Sequence, residues 1–148
     1  MNFLNDLRKF LDKYYVKLPA FPKGLNDFIV SVAPWLALIF GVLAIIAGVQ
    51  AFGVFSVTAP LAAYAGLQGY TFIAIVTAVI LFLQGLIGLL AFSPLKAKKV
   101  KGWNLMFYSL LLGLLSPIIT LNTYSILNAL VGVLIGYYVL YQVRAFYK

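Results

Sequence analysis

The sequence predicts an all-α integral membrane four-helix bundle, made of two in-out-in hairpins and preceded by an amphipathic interfacial helix. Three observations predict it. Residues 28–95 contain no Asp, Glu, Lys, Arg or His, and neither do residues 102–143. Charge at the centre of a bilayer costs roughly 2.5–3.5 kcal/mol per residue, and each stretch is long enough to cross twice. Hydrophobic residues make up 64% of the chain and charged residues 9%, too few to cover a soluble surface. Finally, the basic residues fall into three clusters that each flank an apolar span: Arg8 to Lys23, Lys96 to Lys101, and Arg144 with Lys148.

Two regions follow, an amphipathic segment and linker over residues 1–33 and a four-span domain over residues 34–148. In the first, Phe3, Leu4, Leu7, Phe10, Leu11, Tyr14 and Leu18 recur at the 3–4 spacing of one helical face. Asn5, Asp6, Arg8, Lys9, Asp12 and Lys13 fall opposite, which fits a helix lying in the membrane interface, or a cytoplasmic helix docked on a partner or on the membrane domain itself. Its interleaved charges do not read as a cleavable signal. Pro19 and Pro22 end this helix, and Asn26 or Asp27 can cap a short turn through Val32.

Pro34 is placed to start the first span, residues 34–57, with Trp35 as an interfacial anchor. Residues 58–69, containing Pro60, Gly66 and Gly69, read as an uncharged loop. The second span covers residues 70–92, stopped by Ser93-Pro94. The third covers residues 103–120, with Pro117 bending or ending its last turn. Leu121-Asn122-Thr123 is a tight turn, and the fourth span covers residues 124–143. A cytoplasmic N terminus places all eleven Lys and Arg residues on the inner side, so the distribution predicts both termini cytoplasmic.

Small residues form helical stripes. They are Ala37, Gly41, Ala44, Gly48 and Ala51 in the first span, Ser109, Gly113, Ser116 and Thr120 in the third, and Ser125, Asn128, Gly132 and Gly136 in the fourth. Lipid tails give no hydrophobic drive to helix pairing, so close approach at such stripes supplies it. They hold the bundle together, or meet a second copy or a membrane-protein partner. Gln50, Gln84 and Asn128 are the polar residues inside the spans; they either hydrogen-bond between helices or line a polar path.

The absences exclude function classes. No span carries a carboxylate, Lys, Arg or His, the usual marks of proton relays and ion-coupled pumps. With no His or Cys and only Asp6, Asp12 and Asp27 as acids, no metal ligand set, cofactor site or nucleophile–base pair is expected. No catalytic residue is therefore assigned, and no enzyme is expected. The clustering of charge at span ends argues against nucleic acid. Arg8, Lys9, Lys13, Lys17, Lys96, Lys98, Lys99 and Lys101 are instead expected to meet anionic lipid headgroups, at about 1 kcal/mol each near the surface.

Leu95-Lys96-Ala97-Lys98-Lys99-Val100-Lys101-Gly102-Trp103-Asn104-Leu105 and Tyr141-Gln142-Val143-Arg144-Ala145-Phe146-Tyr147-Lys148 carry a resemblance. Through them the chain resembles small uncharacterised bacterial four-helix inner-membrane proteins. The resemblance covers the second half and implies a bacterial inner membrane and a four-span fold, but no activity. Small multidrug exporters and fluoride channels are similar in size. This chain lacks the membrane carboxylate of the former and the motifs of the latter. The expectation is a non-enzymatic membrane protein with a structural, accessory or lipid-interacting role. The alternative is an oligomeric, uncoupled channel or small-solute transporter.

Overall fold

The computed structural model describes residues 2–15, 17–121 and 123–148. The expected turn residue Asn122, Val16 of the first helix and the side chain of Thr120 lie outside the described residues. Among those described, the elements are α1 (Asn2–Tyr15), α2 (Lys23–Tyr64), α3 (Gln68–Lys96), α4 (Val100–Gly113), α5 (Leu115–Thr120), α6 (Thr123–Gln142) and a closing 3-10 turn (Arg144–Phe146), with no strand. Lys23–Tyr64, Thr71–Lys96, Val100–Ile119 and Thr123–Gln142 are long and apolar enough to cross a membrane.

The helix boundaries differ from the sequence expectation at both ends of α2. Pro34 does not open a helix; α2 runs through it from Lys23 and through Pro60 to Tyr64. At 1.5 Å per residue its 42 residues reach about 63 Å, roughly twice a bilayer's hydrocarbon thickness. Apolar side chains on either side of Pro34 continue the helical face, and the proline itself packs inward. Residues 58–64, read as loop, remain helical, and Thr58 bonds back to the Val54 carbonyl at 3.0 Å.

The reversal after α2 needs only three residues. Gly66 adopts φ +72°, which glycine tolerates without a side-chain clash. The Leu67 N–H then reaches the Ala62 carbonyl at 2.8 Å and the Gly66 N–H reaches that of Ala63 at 3.2 Å, a Schellman closure. The end of α3 repeats this geometry with a lysine. Lys98 takes φ +52°, Lys99 N–H donates to Pro94 O at 2.8 Å, and Lys98 N–H to Leu95 O at 3.0 Å. Helix α3 therefore ends at Lys96, past the Ser93-Pro94 stop that the sequence predicts.

Pro117 cannot donate to the Gly113 carbonyl four residues back, and its ring crowds that oxygen. The α4–α5 break falls there, at Leu114, whose N–H bonds Leu111 O at 3.2 Å in a tightened turn.

Helices α2 and α3 lie antiparallel with their backbones nearly touching. A Cβ built on Gly88 would sit 2.8 Å from Ala37 O and 2.9 Å from Gly41 Cα. A Cβ on Gly41 would lie 3.0 Å from Gly85 O, and one on Gly48 would lie 3.2 Å from Phe82 N. Helix α4 then packs antiparallel to α3, and α6 antiparallel to α4.

The buried core sits at one end of this bundle, where Ala91 and Phe107 are fully buried beside Leu95, Trp103, Tyr137, Leu140 and Val143. Most other apolar side chains face outward, including Phe40, Leu90, Leu127 and Ile135.

Candidate functional site

The first turns of α4 and the last turns of α6 carry a run of rings. Trp103 stacks near Phe107 with centroids 5.5 Å apart, Phe107 meets Tyr137 at 5.0 Å, and Trp103 meets Tyr141 at 5.5 Å. Hydrogen bonds fix the two helices together. Trp103 Nε1 donates to Leu140 O at 2.8 Å and Tyr137 Oη to Phe107 O at 3.2 Å.

Helix α1 docks on this surface through both backbone and side chains. Tyr15 stacks on Tyr141 at 5.3 Å, with planes 5° apart, and donates to Leu134 O at 3.1 Å. Tyr138 donates to Pro19 O at 2.7 Å, and Gln142 both donates to Pro19 O and accepts from Phe21 N–H. Asp12 forms an ion pair with Arg144. Burial pushes the Tyr15 and Tyr147 hydroxyls above the ordinary tyrosine pKa of 10.0, so both stay protonated donors near neutrality.

At the centre of the joint lies a cavity of about 580 Å³ whose lining includes Arg8, Trp103, Asn104, Tyr141, Arg144 and Tyr147. The Arg8 guanidinium carbon lies 5.0 Å from the Phe107 ring centroid, 5.2 Å from that of Tyr108 and 5.8 Å from that of Trp103. That of Arg144 lies 5.0 Å from Trp103 and 5.7 Å from Tyr141. Arg8 Nε and Nη2 and Tyr147 Oη are buried with no hydrogen-bond partner among the described residues. The site thus pairs two cations with one nearby carboxylate and holds unsatisfied donors on residues that line a cavity.

The lysine turn and the C-terminal residue meet beside this joint. Lys148 N–H donates to Lys98 O at 3.0 Å and Val100 N–H to Lys148 O at 3.3 Å, which ties the C-terminal residue to the lysine turn. Lys9, Lys13, Lys17, Lys98, Lys99 and Lys101 are exposed, while Lys96 Nζ lies 5.7 Å from the Trp35 ring. A smaller cavity of about 390 Å³ is lined by residues that include Leu90, Pro94, Leu105, Lys99 and Lys101. Arg8, Arg144, the lysine turn and Lys148 thus meet at this end, whereas the turn at Ala65–Leu67 closes the opposite end of the α2–α3 pair.

The remaining predicted positions separate into two groups. Gly41 and Gly48 press on α3, with Ala44 half-buried between them. Ser116 and Thr77 hydroxyls share a hydrogen bond at 3.3 Å. Gln84 Nε2 donates to Ser109 O at 3.2 Å, and a Cβ on Gly113 would meet that same amide at 2.9 Å. Gly136 faces Leu110. Gln50 and Asn128 are exposed, and a Cβ on Gly132 would meet nothing within 4 Å. Gln50, Gln84 and Asn128 are therefore not brought together within one chain.

Sequence reasoning missed Gly85, Gly88 and Gly102 as packing positions. It also took Arg144 only as a flanking charge and gave Asn104 and Tyr147 no site role. Ala78, Gly85, Gly88 and Ala91 fall near one face of α3, a spacing that could have marked the partner of the α2 stripe. Comparison with protein-family models, curated proteins and solved structures finds no match for this chain.

Proposed function

We propose that this chain is a non-enzymatic, four-span protein of a bacterial inner membrane that serves a structural or accessory role at an anionic lipid surface. Helices α2 and α3 form one in-out-in hairpin and α4 to α6 the second, with both termini cytoplasmic. The observation that carries this reading is that all eleven Lys and Arg residues lie in segments flanking the apolar spans, with none in the connections at residues 65–67 and 121–123. Such segregation is how membrane proteins hold their cationic loops on the inner side. Exposed apolar flanks bearing Phe40, Leu90 and Ile135 support a lipid surround, since soluble monomers rarely expose large contiguous apolar areas.

The lysine turn and the exposed face of α1 then rest against anionic headgroups. The outward face of α6, with Asn128 and Gly132, remains free for a second copy or another membrane protein. Reconstitution into vesicles tests the reading. Vesicles rich in phosphatidylglycerol should retain the full chain in its folded state more strongly than phosphatidylcholine vesicles. Neutralising Lys96, Lys98, Lys99 and Lys101 to Gln should narrow that difference, and neither protein should pass ions. Equal behaviour in both lipids would contradict the surface role, and steady ion flux would replace it with the channel.

A further inference from the structure

We propose that the cavity between α1, α4 and the C-terminal turn is a discrete binding site for one phosphate group, held between Arg8 and Arg144. This deepens, and rests on, the reading of the basic end as an anionic-lipid surface. Exposed lysines alone would give only diffuse attraction. The cavity differs because its donors are fixed by packing. Arg8 reaches it from α1, and Arg144 from the turn after α6. The two arginines approach the Trp103 ring, which is only 2% exposed and already spends its N–H on Leu140 O.

The chemistry of the guanidinium defines the occupant. Its flat face stacks on aromatic rings, while its N–H donors point outward in its plane. Stacking against Phe107 and Tyr108 therefore satisfies the charge of Arg8 but not its edge. Nε and Nη2 are left buried and unbonded, the adjacent pair that a fork of two oxygens accepts. Buried donors without partners are unfavourable, so an acceptor placed here satisfies groups the fold leaves unpaired among the described residues. Tyr147, 6% exposed with a hydroxyl unpartnered among the described residues, adds a third donor on a residue lining the same cavity. The Asn104 amide lines the same space.

Charge points the same way. Asp12 pairs with Arg144, while Arg8 makes no ion pair among the described residues. With Arg8, Asn104, Arg144 and Tyr147 all lining the space, the several oxygens of a phosphate meet more donors than the two of a carboxylate can. About 580 Å³ accommodates a phosphate with an organic substituent. A lipid phosphodiester and a soluble phosphate monoester share this chemistry.

The test uses the full-length protein in neutral detergent, probed separately with phosphatidylglycerol, phosphatidylcholine, glycerol 3-phosphate and inorganic phosphate. Native mass spectrometry counts retained lipid, and Trp103 fluorescence in a Trp35→Phe background follows soluble anions. Saturable one-to-one binding is expected, weakened at least about tenfold by Arg8→Lys, which keeps charge but loses the fork. Asn104→Leu, which leaves both arginines, should weaken it too, with the thermal unfolding midpoint of each variant verifying folding. Phosphatidylglycerol binding alone makes the occupant a lipid; binding of glycerol 3-phosphate or inorganic phosphate as well makes the site general for phosphate. If folded Arg8→Lys and Asn104→Leu bind as the parent does, or binding follows the loop lysines instead, the pocket is wrong while the surface reading stands. Absence of any preference for anions overturns both.

Discussion

The indole N–H of Trp103 points at the carbonyl oxygen of Leu140, 2.8 Å away and wholly inside the protein. This bond joins the start of α4 to the end of α6, and the same ring lies beside both arginines of the cavity. Fold and candidate site therefore share one residue. Trp103→Phe keeps a ring but removes the donor, and should cost about 1–3 kcal/mol of stability. Chemical unfolding in detergent micelles measures it, with Trp35→Phe, at a half-exposed ring, as the mild comparison.

The α2–α3 contact predicts sharp positional sensitivity. Gly88→Ala drives a methyl group into the Ala37 carbonyl and Gly41 Cα, backbone atoms that cannot rotate away. A loss of about 1–3 kcal/mol follows from overpacking. Gly53→Ala, with nothing within 4 Å, should instead be neutral or gain up to about 1 kcal/mol from helix propensity. Thermal unfolding of the two variants side by side checks the difference.

How much of this was legible beforehand depended on the range of the interaction. Charge-free stretches and helical spacing are local, and from them the helical class and four membrane-length helices could be read. The course of α2 through Pro34 could not, because the proline rule is local while its apolar surroundings are tertiary. Gly41 and Gly48 stood out as a stripe, but their partners Gly85 and Gly88 did not, since pairing two helices requires knowing their register. Arg8 read as one surface cation among several. Only packing of α1 on rings a hundred residues away distinguishes it from Lys9 or Lys13.

Lys98 occupies a left-handed conformation at φ +52° that closes α3. A side chain there costs roughly 1–2 kcal/mol that glycine avoids. Lys98→Gly should therefore raise stability by about 1 kcal/mol, read as a higher unfolding midpoint. A fall would mean that the lysine side chain contributes more than its backbone costs.

Alkaline pH should loosen the docking of α1 and the C-terminal turn. The Tyr15 and Tyr147 hydroxyls have folded-state pKa values raised by burial above their unfolded value of 10.0. The folded state thus holds these protons more tightly, and stability is complete below pH 10 and lost as pH climbs through and beyond it. Unfolding midpoints at pH 8 and pH 11, approximate bounds around the ordinary tyrosine pKa, should differ less in Tyr15→Phe/Tyr147→Phe than in the parent. An equal alkaline loss in both proteins would contradict this assignment.

The chain contains no cysteine, so single cysteines can report the side on which each turn lies. Ala65→Cys and Lys99→Cys place one at each end of the bundle, both at exposed positions. With a membrane-impermeant maleimide on intact bacterial spheroplasts, Ala65→Cys should label directly. Lys99→Cys should label only after the membrane is opened. Direct labelling of Lys99→Cys on sealed spheroplasts, or recovery of the protein in the aqueous fraction without detergent, would contradict a bundle that spans the bilayer with its basic end inside.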